Sequence, residues 1–467
     1  MSPSALWQRS AAELAEGYRR SEFTPLDAVD ACLARIAQVQ PALNAFVHVD
    51  QEGARQAASL SLARWRRGAP LGPLDGVPIS LKDNLNAAGQ PTTWGSLLTR
   101  GHVALADERP VAALRAQGAV LLGKTNLPEF AMQGHTDNRR FGTTHNPWDL
   151  QRTAGGSSGG AVAAVASGCG PLALATDGGG SIRRPASHTA LVGFKPSEEA
   201  LPRGGGLPEL FLQYEVVGAI GRTVGDVASA LQAMAGPGHL TAPPARPLRI
   251  LFAPKFGHSP VDPDIDRLTR QAAARLEGLG HTVDEVDCFD DAQDINALWP
   301  RLSATGLAWL MEQGDRIAEF GLGAGQTADL SLCTSAIRAT LEQGRTQMAT
   351  DLFELQQAIA AVRRRMDLRF EHHDLILTPA AAALPWSAQE TFPTHIDGAS
   401  VDPRGHAVFT ALANAAGLPA VALPCGLARG LPVGLQLIGR RHADGTLLAA
   451  AAQWEAAYPW ANTWPPL

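Results

Sequence analysis

Apolar and polar positions change their rhythm along the chain, and the changes divide it. In residues 1–60 the apolar positions recur at helical spacing: Val29, Cys32, Leu33 and Ile36 fall on one face. Thr24, Pro25 and Asp27 form a helix start, with a capping hydroxyl, a proline at the first helical position and an acid in the first turn. The whole of 1–60 is therefore expected to be helical. From about residue 72 short apolar runs take over. Val77 to Leu81 predicts a strand, Val111 to Ala116 a helix stopped by Gly118, and Val120 to Gly123 a second strand. The rhythm returns as a strand over Arg249 to Ala253, a helix over Asp264 to Leu279 and a strand over Thr282 to Val286. A long helical region is expected over 290–372, then a strand over Leu375 to Thr378, then short strands and turns in the Gly/Pro-rich tail 416–440. Alternation of helix, glycine and strand predicts an α/β fold with a mainly parallel or mixed sheet. The Pro-rich stretch Leu240 to Pro247 reads as a surface connection within one domain, giving segments 1–60, 70–240 and 248–467.

Composition narrows the function classes. The chain has 467 residues, 45% of them apolar, enough for a large core. Its formal net charge is −6. The densest basic runs, Arg64 to Arg67 and Arg363 to Arg365, are short and read as solvated helix faces, so no nucleic-acid partner is expected. Five cysteines, widely spaced and without a C-x-x-C pair, argue against a disulfide framework or a structural zinc site and fit a reducing compartment. The first residues read as an amphipathic helix rather than a signal peptide. The longest small-apolar stretch, Gly159 to Thr176, is too broken by Gly, Ser and Pro to span a bilayer. A cytoplasmic protein without a membrane partner is the default expectation.

The chemistry concentrates in residues 153–196. Gly155-Gly-Ser157-Ser-Gly-Gly160 is a turn leading into an Ala/Val-rich helix over 161–167. Such a helix start offers free backbone N–H groups and the positive end of the dipole to an anion. The strand Leu172 to Ala175 runs into Thr176-Asp177-Gly178-Gly179-Gly180-Ser181. Three glycines let the backbone close around a small reactive centre, and their N–H groups can converge on one oxygen. Ser181 is then a candidate nucleophile, and it needs a base. No G-x-S-x-G surrounds it. His188 is near in sequence but has no evident partner acid; the other candidate is a lysine, and the residues alone do not say which.

With those pieces in view the chain resembles the amidase signature family. Gly155-Gly-Ser-Ser-Gly-Gly, Thr176-Asp-Gly-Gly-Gly-Ser-Ile-Arg with Pro185-Ala, and Gly193-Phe-Lys-Pro carry the resemblance. So do Gly76-Val-Pro-Ile-Ser-Leu-Lys82-Asp-Asn, Gly123-Lys-Thr-Asn-Leu-Pro-Glu-Phe, Phe141-Gly-Thr-Thr-His-Asn-Pro-Trp, Gly417-Leu-Pro-Ala and Gly430-Leu-Pro-Val-Gly-Leu-Gln-Leu-Ile-Gly. The resemblance implies a single large α/β/α domain with a central mixed, twisted sheet flanked by helices. It also implies a stand-alone amidase without a cofactor or metal, acting through a Ser–cis-Ser–Lys triad. By motif the nucleophile is Ser181, the bridging serine after a cis non-proline peptide is Ser157, and the lysine is Lys82. The N–H groups of Gly178, Gly179, Gly180 and Ser181 would form the oxyanion hole. Lys82 would have to be neutral to accept a proton, so burial must lower its pKa. Ala175, His188, Ala190 and Glu215 depart from residues common in the family; none of them is in the triad.

The expected partner is a small-molecule amide substrate; a homodimer stays open. The loop Ala131 to Thr136 resembles the one that lines the family's acyl pocket, so Ala131, Met132 and His135 are candidate substrate contacts. Arg183 is expected to be structural, pairing with Asp177. Arg184 is a candidate reader of a substrate carboxylate, since an arginine about here does so in some members acting on small acids. Three other readings are weighed. One is the amidase component of a glutamyl-tRNA(Gln) amidotransferase, with the same fold and triad. Another is a small-molecule kinase cradling phosphate on Gly155 to Gly160, which lacks a Walker lysine and leaves Lys82 unexplained. The third is a catalytically inactive binding protein, disfavoured by a complete triad.

Overall fold

The computed structural model describes residues 3–99, 101–236, 240–241 and 246–467, and side chains from Leu6 onward. Residues 242–245 of the Pro-rich connection lie outside the described residues. One mixed eleven-stranded sheet runs through the molecule, drawing strands from Phe46–Val49 to Leu431–Gly439. In spatial order the strands are Phe46–Val49, Val120–Thr125, Pro78–Lys82, Leu172–Asp177, Val216–Gly221, Val192–Lys195, Ala420–Ala428, Leu431–Gly439, Leu375–Pro379, Arg249–Phe252 and Thr282–Glu285. Pro78–Lys82 pairs in parallel with both Val120–Thr125 and Leu172–Asp177, and the central pairs from there to Leu375–Pro379 are antiparallel.

Two buried clusters cover the sheet. The strand Leu172–Asp177 shows why, because alternate residues along a strand point to opposite faces. Leu172 and Leu174 join one cluster with the helices Val224–Ala235, Pro263–Gly278 and Asp444–Ala457. Ala173 and Ala175 join the other with Pro25–Leu43 and Gly159–Ala166. Small residues on that face let Gly159–Ala166, buried at all eight positions, lie close on the sheet. The helix Pro25–Leu43 starts as expected. Thr24 Oγ1 accepts the Asp27 amide at 3.2 Å and the Asp27 carboxylate accepts the Thr24 amide at 2.8 Å.

Three expectations about elements are corrected. The first 60 residues are not all helix: Phe46–Val49 forms an edge strand antiparallel to Val120–Thr125, between helices Pro25–Leu43 and Gln51–Arg66. The region 290–372 is not one helical run. Helices Gln293–Glu312, Ser335–Arg345 and Ala349–His372 are separate, and between the first two lie the 3-10 turns Gly314–Arg316, Ala318–Phe320 and Leu330–Leu332. The tail is a central hairpin of two nine-residue strands, not short strands. Its turn, Arg429-Gly430, has φ of 51° and 78°, and the disruption from Pro424 and Gly426 is absorbed as a register shift. Among the described residues no helix is long and apolar enough to cross a membrane.

Candidate active site

The site forms where two parallel strands end side by side. Ile79 and Leu81 pair with Leu172 and Leu174, so Lys82, the last residue of one strand, emerges beside Thr176 and Asp177 at the end of the other. The turn before helix Gly159–Ala166 brings Ser157 to the same edge, through a cis Gly156–Ser157 peptide. Gly156 has no room for a side chain: a Cβ there would lie 2.8 Å from Gln133 O. Lys82 Nζ stands 2.8 Å from Ser157 Oγ, 3.0 Å from Thr176 Oγ1 and 3.3 Å from Thr176 O. Asn84 Nδ2 donates to the same Thr176 hydroxyl at 2.9 Å.

Lys82 is fully buried, and burial pulls its pKa down to about 7 against the opposing pull of Glu215 and Asp177. A large neutral fraction at ordinary pH follows. Asp177 goes the other way. Burial works to raise its carboxyl, but Arg183 and backbone donors outweigh burial and hold it well below the usual carboxylate range.

Asp177 organises the glycine loop. Its carboxylate accepts Arg183 Nε at 3.0 Å and Nη2 at 2.9 Å, the Gly180 amide at 2.6 Å and the Ile182 amide at 3.1 Å. Arg183 is held in turn by Thr410 O, Gln436 Oε1 and Asn414 Oδ1. The expected Arg183–Asp177 pair is thus present, wholly buried. The loop carbonyls are tied as well: Gly178 O accepts Trp299 Nε1 at 3.0 Å, Gly179 O accepts Thr410 Oγ1 at 2.7 Å, and Gly180 O accepts Arg184 Nε at 3.3 Å. One expectation is corrected here. The Gly180 amide is spent on Asp177, so it is not a free oxyanion donor, whereas the amides of Gly178, Gly179 and Ser181 meet no acceptor among the described residues.

Ser157, Gly178, Gly179 and Ser181 line a cavity of about 730 Å³. Ala131, Met132 and Arg184 line it too. His135 does not: it is buried, with Nδ1 2.9 Å from Thr153 Oγ1. His188 is not on the cavity wall either. Its ring packs against Trp386, and burial followed by the Arg184 charge pushes its pKa down to about 3; off the cavity wall, it is not placed to serve as the base. Arg184 bridges the two serine-bearing loops, its Nη2 reaching Gly156 O at 3.4 Å and its Nε Gly180 O.

Several residues around the site carry no local sequence signal. Trp299, Thr410 and Asn414 reach the loop from far along the chain, and Arg404 lines the cavity from a Pro-Arg-Gly turn. Thr176 and Asn84 lie inside the matching motifs, and their spacing to Ser181 and Lys82 is the signal available for them.

Comparison with known proteins agrees with this geometry. The amidase family model matches residues 27–448. The chain is 36% identical over 479 residues to the A subunit of the glutamyl-tRNA(Gln) amidotransferase of Symbiobacterium thermophilum, covering 95% of each. It is 32% identical over 481 residues to an acylamidase of Rhodococcus erythropolis, covering 98% of this chain and 97% of the relative. Among solved structures, a bacterial aryl acylamidase superposes with a TM-score of 0.87 at 31% identity, over 97% of this chain and 96% of that one. A match of this extent, on a sheet that carries a buried lysine, two serines and a braced glycine loop at one edge, makes the chain a member of the amidase signature family and a hydrolase of C–N amide bonds.

Proposed function

We propose that this amidase cleaves a carboxylic amide to carboxylate and ammonia or amine through an acyl-enzyme on Ser181. Neutral Lys82 accepts the Ser157 proton while Ser157 takes the proton of Ser181, and Ser181 Oγ forms the new bond to the amide carbon. The oxyanion settles on the unengaged amides of Gly178, Gly179 and Ser181. The proton held on Lys82 returns through Ser157 to the leaving nitrogen as the C–N bond breaks. Water then attacks the acyl carbon, gives a proton to the same relay, and Ser181 leaves with its hydroxyl restored. The observation that carries this reading is the 2.8 Å contact of Lys82 Nζ with Ser157 Oγ, at a lysine whose pKa burial lowers to about 7. The test is release of ammonia or amine from a panel of amides, with hydroxamate formation from hydroxylamine reporting the acyl-enzyme.

A second reading has the 36% identity to the amidotransferase component in its favour. On it, the amide would be that of glutamine and the ammonia would pass to a partner. A stable partner on copurification, with glutamine the preferred amide, would select it over the stand-alone enzyme.

A further inference from the structure

The peptide units between Asp177 and Ser181 are trans and planar, so in each the C=O and the N–H that follows it point in opposite directions. Fixing a carbonyl therefore aims the next amide. Every carbonyl in this stretch has a side-chain donor. Asn414 Nδ2 holds Asp177 O at 2.8 Å, Trp299 Nε1 holds Gly178 O at 3.0 Å, Thr410 Oγ1 holds Gly179 O at 2.7 Å and Arg184 Nε reaches Gly180 O at 3.3 Å. The amide behind Gly179 O, that of Gly180, turns to Asp177, and Gly180 is absent from the cavity wall. The amides behind the other three carbonyls meet no acceptor among the described residues, and their owners, Gly178, Gly179 and Ser181, line the cavity.

One of these peptides depends on its anchor more than the rest. A peptide between two glycines meets no side chain as it rotates, and two units of the loop are of that kind. Gly179–Gly180 is held at both ends, by Thr410 on its carbonyl and Asp177 on its amide. Gly178–Gly179 is held at its carbonyl alone, and Trp299 Nε1 is the one donor to Gly178 O among the described residues. The indole N–H is also the single hydrogen that this side chain can donate. Trp299 itself is fixed: it is fully buried, stacked on Phe211 with ring centroids 6.2 Å apart and edge-on to Tyr214 at 5.6 Å. A methyl built on Gly179 would lie 3.1 Å from its Nε1. Its helix, Gln293–Glu312, also gives Asn296, Ala297 and Pro300 to the cavity wall and lies outside every segment that carries the family resemblance.

From this arrangement we infer that Trp299 is a positioning residue whose indole N–H holds the Gly178–Gly179 peptide so that the Gly179 amide faces the oxyanion formed at Ser181. This rests on the Ser181 amidase reading and adds a residue to it. The test measures kcat and KM against pH for the fastest-cleaved amide of the panel, in wild type and Trp299→Phe. Phenylalanine keeps a ring beside Phe211 and Tyr214 but has no N–H to give. The plateau kcat of Trp299→Phe should fall by about 10-fold or more. Its KM should stay within about 3-fold of wild type, since the oxyanion exists only as the reaction proceeds. Its kcat/KM profile should still turn at about 7, because the burial of Lys82 is untouched. Loose packing would instead admit water to Lys82 and move that midpoint upward. Benzothienylalanine at position 299, which puts sulfur in place of the indole N–H and keeps the ring shape, should show the same fall and serves if Trp299→Phe does not fold. The inference is overturned if kcat is unchanged in these variants, if the loss lies in KM, or if the midpoint moves. Amide hydrolysis that persists in Ser181→Ala would instead overturn the catalytic reading.

Discussion

Lys82 Nζ lies 2.8 Å from Ser157 Oγ at the end of a strand whose five residues are all buried. On the proposed mechanism a lysine in that position has two roles that can be separated experimentally. It loses its charge easily, which suits it to accept a proton, and it weakens the fold wherever it must remain charged.

The first role sets the pH dependence of the reaction. Burial lowers the Lys82 pKa to about 7, and the neutral form is the one that accepts a proton. The kcat/KM for an amide with no ionisable group should therefore rise as pH increases through about 7 and level off above it. A profile flat from pH 5.5 to 9 would contradict this.

The second role sets the pH dependence of stability. The folded pKa of about 7 lies below the ordinary value of 10.5, so between these limits the unfolded chain binds the extra proton. The stability tied to Lys82 is then fully present above the ordinary value and is lost as pH falls through the folded one. Lys82→Met removes that dependence. The variant should lose about 10³-fold or more of activity, and its thermal midpoint should exceed that of wild type most below pH 7, with the gap narrowing as pH rises. Thermal melts of both proteins from pH 6 to 9 measure it.

Asp177 and Arg183 form a buried pair that shapes the glycine loop. Asp177→Asn leaves Arg183 charged and uncompensated. Chemical denaturation should show a loss of about 3–5 kcal/mol, and activity should fall with it.

Gly180 holds a φ of +107°, and a Cβ there would lie 2.3 Å from Thr410 Oγ1. Gly180→Ala should displace the loop and lower kcat/KM by about 10²-fold. Adding Thr410→Ala should not restore it, since the backbone conformation still disfavours a side chain.

Part of the candidate catalytic edge is legible in the sequence because it is local, whereas Lys82, 75 residues before Ser157, is picked out only by the resemblance. Thr24 and Asp27 announce their helix start, and the segment from Thr153 to Pro196 carries its glycines, serines and strand in one continuous stretch. Phe46–Val49 leaves no such mark, because four residues between two helices carry too little periodicity. The hairpin Ala420–Gly439 reads as fragments because Pro424 and Gly426 look like breaks, whereas the strand passes them with a register shift. The supports of the loop, Trp299, Thr410 and Asn414, and the cationic wall at Arg404 come from positions far from Ser181 in sequence. Only the folded sheet brings them there, so no local pattern marks them. The commitment of the Gly180 amide to Asp177 is likewise a matter of loop geometry, which three consecutive glycines leave undetermined.

The most direct measurement is the release of ammonia or amine from an amide panel by wild type and by Ser181→Ala at matched concentration and equal foldedness. Hydrolysis by wild type that falls by about 10³-fold or more in Ser181→Ala, with hydroxamate formed only by wild type, is the predicted result. Hydrolysis by Ser181→Ala at the wild-type rate would contradict it.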